Sequence, residues 1–288
     1  MSEKRGNDLT KKIVFLDVDG TLCDDAGNVP ESARQAITAA HKKGHEFFLC
    51  TGRSKAEITE DVLALPLSGM IGAGGGYCEV HNEVILHKVF EKEALLRLID
   101  FLKENQIEYY LESNQGLFAS TNLRNRLLEI VLAGESVESE AGKQRVQTIQ
   151  WFLDLLIEDE AKIDYDDVNK VSFINHSIPY ERVHDQYHEQ FQMIRSTVPV
   201  FGKDSGEIGI KNIHKKTAID FLLNHLGIDN KDTLAFGDGH NDVEMFEAVA
   251  TGIAMGNACE QLLAVADEVT ARPEDGGIAQ ALQKHGLV

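Results

Sequence analysis

Asp17 and Asp19 stand two positions apart, and Asp238 and Asp242 stand four apart. Carboxylates in close pairs do two kinds of chemistry. They attack or exchange protons with a substrate, and they hold hard divalent cations through oxygen. Asp17 and Asp19 follow the apolar run Ile13-Val14-Phe15-Leu16 and precede Gly20-Thr21. Asp238 and Asp242 lie in Gly237-Asp238-Gly239-His240-Asn241-Asp242, directly after Leu234-Ala235-Phe236. A calcium loop of the EF-hand kind needs Gly at its sixth position and Glu at its twelfth. Here Gly20 is the fourth residue from Asp17, and the segment before it is strand-like. Two other residue types bear on anions. Thr51, in Thr51-Gly52-Arg53, ends a second apolar run, where a hydroxyl and main-chain N–H groups at a helix start suit an anion. Lys211, Lys215 and Lys216 lie at the start of a helical stretch, where the helix dipole does not favour a cation. Each of the three is a candidate partner for a negative charge. Lys215 lies three residues before Ala218, on the apolar stripe Ala218, Phe221, Leu222, and Lys216 turns about 100° away from it. Lys215 is therefore expected at the site and Lys216 in water.

The elements that must position these groups are legible from periodicity. Segments 13–16, 46–50, 70–73, 233–236 and 252–255 are short apolar runs closed by turn signals, which predicts buried strands. Helical spacing follows several of them, as in Ala33, Ala36, Ile37 and Ala40. Ser54 and Glu57 have the spacing of a capping box at a helix start. Strands alternating with helices predict a parallel sheet whose ligands gather at the carboxyl ends of the strands. Between the two halves the pattern changes. Residues 78–87 read as a hairpin about His81-Asn82, and 107–120 as a second about Ser113-Asn114-Gln115-Gly116. Helices are expected over 94–102, 123–132, 145–157 and from Pro179 to about Phe191, with a strand over 170–174. This predicts an inserted α+β module over residues 88–206, with the α/β core in 1–87 and 207–288.

Composition narrows the function classes. The chain has 288 residues, a net charge of −19 and 43% hydrophobic residues. So acidic a protein repels nucleic acid and anionic membranes, and neither is expected as a partner. A phosphorylated substrate would need local cations or a metal. Cys23, Cys50, Cys78 and Cys259 form no C-x-x-C pair, which gives no support to a zinc site and suits reduced thiols in a cytoplasmic setting. The N-terminal stretch 1–10 is polar and lacks a signal-peptide core, and no apolar run approaches the ~20 residues that span a bilayer.

Asp17-Val18-Asp19-Gly20-Thr21-Leu22 resembles the first signature of the haloacid dehalogenase-like (HAD) superfamily, and Gly237-Asp238-Gly239-His240-Asn241-Asp242 resembles its fourth. Thr51 looks like the second, and Lys215 in Asn212-Ile213-His214-Lys215-Lys216 looks like the third, where His214 and Lys216 replace the usual Ser and Gly. The order and the α+β insertion are similar to those of the Cof-like phosphatases with a type IIB cap. Gly74-Gly75-Gly76 departs from the Asn-Gly pair of many relatives. The resemblance implies a Rossmann-like HAD core with an inserted α+β cap. It also implies a Mg²⁺-dependent phosphatase of small phosphorylated metabolites, such as sugar phosphates. Asp17 would be the nucleophile and Asp19 the acid and base. Asp17, the Asp19 carbonyl and Asp238 would hold Mg²⁺, with Asp242 in its outer shell. Thr51, Gly52, Lys215 and Asn241 would hold the phosphoryl oxygens. His240 falls at a variable position and reads as a loop residue. Two alternatives are a phosphomutase, against which the scattered cap arginines count, and a non-catalytic phosphometabolite-binding protein, against which the intact aspartates count. Tyr109, Glu112 and Asn114 lie on or beside a cap hairpin, with a structural role or one in substrate choice. Substrate identity and oligomeric state stay open.

Overall fold

The computed structural model describes residues 11–196 and 198–288; the polar stretch 1–10 lies outside the described residues. The chain forms two compact units. One comprises the described residues up to Gly52, then 58–87 and 214–288; the other comprises 53–57 and 88–213.

The strands are, in chain order, β1 (Ile13–Leu16), β2 (Glu46–Cys50), β3 (Gly69–Gly72), β4 (Tyr77–Val80), β5 (Glu83–His87), β6 (Glu108–Ser113), β7 (Leu117–Ala119), β8 (Leu156–Ile157), β9 (Val168–Ile174), β10 (Phe191–Arg195), β11 (Gly206–Ile210), β12 (Thr233–Gly237), β13 (Thr251–Ala254) and β14 (Glu268–Val269). The first unit is built on an eight-stranded sheet in the order β14-β13-β12-β1-β2-β3-β4-β5. Six neighbouring strands, β14 to β3, run parallel, and β4 and β5 extend the sheet as an antiparallel hairpin turning at His81-Asn82. Both turn residues have positive φ (48° and 67°), the conformation of a tight two-residue hairpin. β1 is apolar throughout because both of its faces are covered. Val14 and Leu16 pack with Ala33, Ile37 and Ile278, and Ile13 and Phe15 pack with Ala218, Ile219 and Leu222.

The second unit has a six-stranded sheet, β10-β11-β9-β6-β7-β8, antiparallel except for the pair β7–β8. Helices Lys92–Glu104 and Tyr180–Tyr187 supply Leu95, Leu98, Leu102 and Val183 to the cluster on one side, with Leu111 and Phe173 of the sheet. Helices Leu123–Leu132 and Glu140–Leu155 supply Leu127 and Phe152 to a second cluster with Tyr110 and Leu117. This is the α+β character expected of the insertion.

Several expectations are corrected. Glu207–Ile210, read as the core resuming, belongs to β11 and pairs with β10 and β9, so the second unit runs on to Ile213. The helix expected from Pro179 to Phe191 ends at Tyr187, because Phe191–Arg195 is β10 and takes its hydrogen bonds from β11. The helix expected to begin at Arg145 starts at Glu140, where Ser139 Oγ accepts from the Gly142 N–H. At Ser54 the Glu57 carboxylate accepts from the Ser54 N–H and Oγ–H, as a capping box would, but it closes only a 3₁₀ turn over Lys55–Glu57. The following helix is short, Glu60–Leu63. Phe221 is 38% exposed, because the buried stripe of its helix runs through Lys215, Ala218, Ile219, Leu222 and Leu223. No helix among the described residues is long and apolar enough to cross a membrane.

Candidate active site

The carboxyl ends of β1 and β12 lie side by side, since these strands pair in parallel register, Leu16 opposite Phe236. The Asp17 N–H continues the ladder, donating to the Phe236 carbonyl at 3.0 Å. The chain then turns. Leu22 N–H donates to the Asp17 carbonyl at 3.2 Å and Cys23 N–H to the Val18 carbonyl at 2.9 Å. Gly20 takes φ +71° in this turn, and a Cβ there would stand 2.4 Å from Asp238 Oδ2. Only glycine fits both the backbone angle and the approach of the Asp238 carboxylate.

Ligand oxygens of Asp17, Asp238 and Asp242 lie within 4.8 Å of one another. Lys215 Nζ donates to Asp17 Oδ1 at 2.6 Å and to Asp242 Oδ1 at 2.5 Å. The other Asp242 oxygen, Oδ2, accepts from the main-chain N–H of Asp238 (3.0 Å) and of Gly239 (2.9 Å). Asp242 thus takes three donors and organises the loop and the lysine, whereas Asp238 projects beside the Gly20 turn. Asp238 is aimed by two residues that the sequence reading did not single out. Thr21 Oγ1 donates to Asp238 Oδ1 at 2.9 Å, and Asn257 Nδ2 donates to the Gly20 carbonyl at 2.9 Å and to Asp238 Oδ2 at 3.3 Å. The signal for Asn257 was present: it is the first polar residue after the carboxyl end of β13, at Gly256-Asn257.

Lys215, not Lys211 or Lys216, reaches the cluster. Its residue is 2% exposed. Lys216 pairs with Glu247 on the surface at 2.9 Å, and Lys211 belongs to the second unit, where it donates to the Glu189 carbonyl. The register is set by His214, which caps helix Lys215–Leu226 in place of a serine. His214 Nδ1 accepts from the Thr217 N–H at 3.4 Å, and Thr217 Oγ1 accepts from the His214 N–H at 3.3 Å. The glycine run explains how this helix comes so near. A Cβ on Gly75, whose φ is +115°, would stand 2.5 Å from the His214 carbonyl oxygen.

Thr51 is buried at the end of β2. Its N–H donates to the Ile71 carbonyl at 2.9 Å and its carbonyl accepts from the Gly74 N–H at 3.1 Å. A Cβ on Gly52 would lie 4.0 Å from Asn241 Nδ2, so these two candidates adjoin. Asn241 and His240 are both exposed on the 3₁₀ turn His240–Asp242. Asp19 is exposed on the turn after Asp17, outside the close group of three carboxylates.

The electrostatics are unbalanced. Burial pushes the Asp17 carboxyl up to about 8; Lys215 opposes the rise, and Asp242 and Asp19 add to it. Burial likewise pushes Asp238 up to about 6, against the Thr21 hydrogen bond and with Asp242 adding to the rise. Burial weighs against the Lys215 charge, but Asp17 and Asp242 more than offset it and hold its pKa above the ordinary lysine value. One ammonium shared between two buried carboxylates leaves excess negative charge. An all-oxygen donor set with that excess fits a hard divalent cation.

In the second unit Glu112 is wholly buried. It accepts from Ser172 Oγ at 2.6 Å and lies 3.0 Å from Lys170 Nζ, and burial raises its carboxyl to about 8. Tyr109 packs in the apolar cluster with Leu111 and Phe173.

Comparison with known proteins agrees with this fold. Residues 14–282 match the family model of the haloacid dehalogenase-like hydrolases. The chain is 28% identical over 286 residues to "Putative phosphatase YkrA" of Bacillus subtilis, covering 97% of this chain and all of that protein. Among solved structures, it resembles the HAD subclass IIB sugar phosphatase BT4131 with a TM-score of 0.72 and 26% identity, over 96% of this chain and all of that one. A protein from Geobacillus kaustophilus shares the fold with a TM-score of 0.79 and 24% identity, over 96% of this chain and all of that one. The chain belongs to the haloacid dehalogenase-like hydrolases.

Proposed function

We propose that this enzyme is a Mg²⁺-dependent phosphatase of small phosphorylated metabolites, sugar phosphates among them, working through an aspartyl-phosphate. The observation that carries the reading is the buried Lys215 bridge between Asp17 and Asp242, beside the Asp238 carboxylate. Phosphate-ester hydrolysis is among the slowest uncatalysed reactions, so charge neutralisation and positioning must supply most of the acceleration.

Asp17, the Asp19 main-chain carbonyl and Asp238 are the groups that would hold Mg²⁺, with Asp242 outside them. When bound, the ion supplies positive charge that keeps Asp17 ionised and neutralises the phosphoryl oxygens. Asp17 attacks phosphorus, and its oxygen forms a new bond to phosphorus as the ester oxygen leaves. Asp19, exposed on the turn after Asp17, gives that oxygen its proton. Asp19 then takes a proton from water, which attacks phosphorus and breaks the bond to Asp17, releasing inorganic phosphate. Lys215 steadies Asp17 and, with Thr51, Gly52 and Asn241, holds the phosphoryl oxygens. The second unit serves as the cap that selects the substrate.

The test is turnover of an aryl phosphate with and without Mg²⁺. Wild-type protein is expected to release phosphate only with the metal, and Asp17→Asn to release none. Turnover by Asp17→Asn near the wild-type rate, with deamidation excluded by mass spectrometry, overturns the assignment.

A further inference from the structure

Helix Tyr180–Tyr187 and its C-cap residue His188 present two imidazoles one turn apart. The rings of His184 and His188 are stacked, with centroids 4.8 Å apart and planes 6° from parallel. Each side chain is 40% exposed. Residues spaced i, i+4 share a helix face, which is the spacing by which helices chelate zinc-like ions.

The partners of these rings decide their tautomers. His184 Nδ1 lies 3.2 Å from Asp185 Oδ1, and His188 Nδ1 lies 3.1 Å from the His184 carbonyl oxygen. An ionised carboxylate and a carbonyl only accept hydrogen bonds. Each Nδ1 therefore carries a proton, which leaves Nε2 as the nitrogen that can take a metal ion. Histidines that bind metals are held in this way, the second ring N–H given to a carboxylate or a main-chain carbonyl. His188 Nε2 also stands 3.1 Å from Glu189 Oε1. A lone pair and a carboxylate at that distance call for a positive charge between them, either a proton or a metal ion. The main chain at Glu189 is pinned, since its carbonyl accepts from Lys211 Nζ at 2.7 Å. The neighbouring Arg195 is engaged elsewhere, over the Tyr180 ring at 4.2 Å.

We propose that His184 and His188, with the Glu189 carboxylate, form a second metal site, selective for a borderline divalent cation of the zinc kind. Asp185 orients His184, and water completes the coordination. Ligand atoms of His184, Asp185 and His188 already lie within 4.8 Å of one another, and Glu189 joins them only through its 3.1 Å approach to His188 Nε2. An ion held by both imidazoles would stand about 2.0–2.1 Å from each ligating nitrogen. Imidazole favours Zn²⁺, Ni²⁺ and Cu²⁺ over Mg²⁺, so this site and the carboxylate cluster of the first unit select different metals. Occupancy ties the last turn of the helix to the residues that lead into β10.

The experiment is a calorimetric titration of untagged full-length protein with ZnCl₂, in an excess of Mg²⁺ that keeps the carboxylate cluster engaged. One Zn²⁺ site is expected. Its affinity is expected to fall about tenfold or more in His184→Gln and in His188→Gln, and to stay unchanged in His41→Gln. Cu²⁺ broadening of amide resonances in the wild-type protein gives a readout that needs no variant. Loss of signals centred on residues 180–189 supports the site. Zn²⁺ isotherms identical in wild type and both variants, or broadening centred anywhere else, overturn it.

Discussion

Lys215 and Asp17 lie 198 positions apart in the chain, yet Lys215 Nζ meets Asp17 Oδ1 at 2.6 Å with both side chains withdrawn from water. The same ammonium holds Asp242 at 2.5 Å, so one cation locks the strand-end carboxylate to the loop after β12. Removing it leaves two buried carboxylates facing each other. Lys215→Ala is expected to cost about 3 kcal/mol or more in kcat/KM, the scale of losing one strong preorganised donor. It is also expected to destabilise the fold by roughly 3–5 kcal/mol when Mg²⁺ is withheld, as uncompensated buried charge does. Lys216→Ala breaks only a surface pair with Glu247 and is expected to leave both quantities at wild-type values. Steady-state kinetics and denaturant melts on the two variants decide this, and the reverse order would move the phosphate-binding lysine to position 216.

Gly20→Ala is expected to be severe for a change of one methyl group. The Cβ would stand 2.4 Å from Asp238 Oδ2 and the backbone would keep a φ of +71°. The turn must open, and Asp238 must move with it. A loss of about 1–3 kcal/mol in stability is expected from strain of this kind, with turnover falling together with metal affinity. Wild-type Mg²⁺ dependence in the variant would show that the turn has slack.

Thr21→Val and Asn257→Ala test how Asp238 is aimed. Neither residue is placed in contact with the phosphoryl group, and both donate to the Asp238 carboxylate. Loss of such an outer partner typically weakens metal affinity about 10–100-fold. The Mg²⁺ concentration for half-maximal activity is expected to rise in both variants, with maximal kcat recovered at saturating metal. A lowered kcat with unchanged Mg²⁺ demand would assign these residues to the chemistry itself.

The pH dependence follows from the direction of two shifts. Burial moves Asp17 from 3.8 to about 8 and Asp238 from 3.8 to about 6. Between these limits the folded protein keeps protons that the unfolded chain has released, so their contribution to stability falls as pH rises. In metal-free protein, Asp17→Asn is expected to remove part of the decline between about pH 6 and 8, because asparagine has no charge to bury. Mg²⁺ competes with the same protons, and its stabilising increment is expected to grow over that range. Thermal melts at several pH values, with EDTA and with Mg²⁺, measure both effects. A Mg²⁺ increment that shrinks toward pH 8 would separate the metal from these carboxylates.

Sequence alone determined which candidate groups stand at the strand and helix ends, and in what order. Asp17, Thr51, Lys215 and Asp238 each stand where an apolar run or a helix begins or ends, and strands covered on both faces read as unbroken apolar runs. That is local information, and β1, β2 and β12 were legible almost to the residue. The expectation that Lys215 faces inward and Lys216 outward also came from helical spacing alone. Tertiary structure decided what depends on pairing between distant segments. β11 looks like any short apolar strand, and only its hydrogen bonds to β9 and β10 place it in the second sheet. Ser54 and Glu57 satisfy a capping pattern, yet the chain leaves the helix after one 3₁₀ turn. Phe221 fits the helical stripe by period, but the buried face is centred one residue away, on Ile219 and Leu222. Thr21 carries no pattern that announces its role, and Asn257 only its place after a strand end, because their common partner, Asp238, reaches them only when β1, β12 and β13 align in one sheet. A side chain's period is set by its own backbone, whereas its partner is set by the register of strands that meet only in the folded chain.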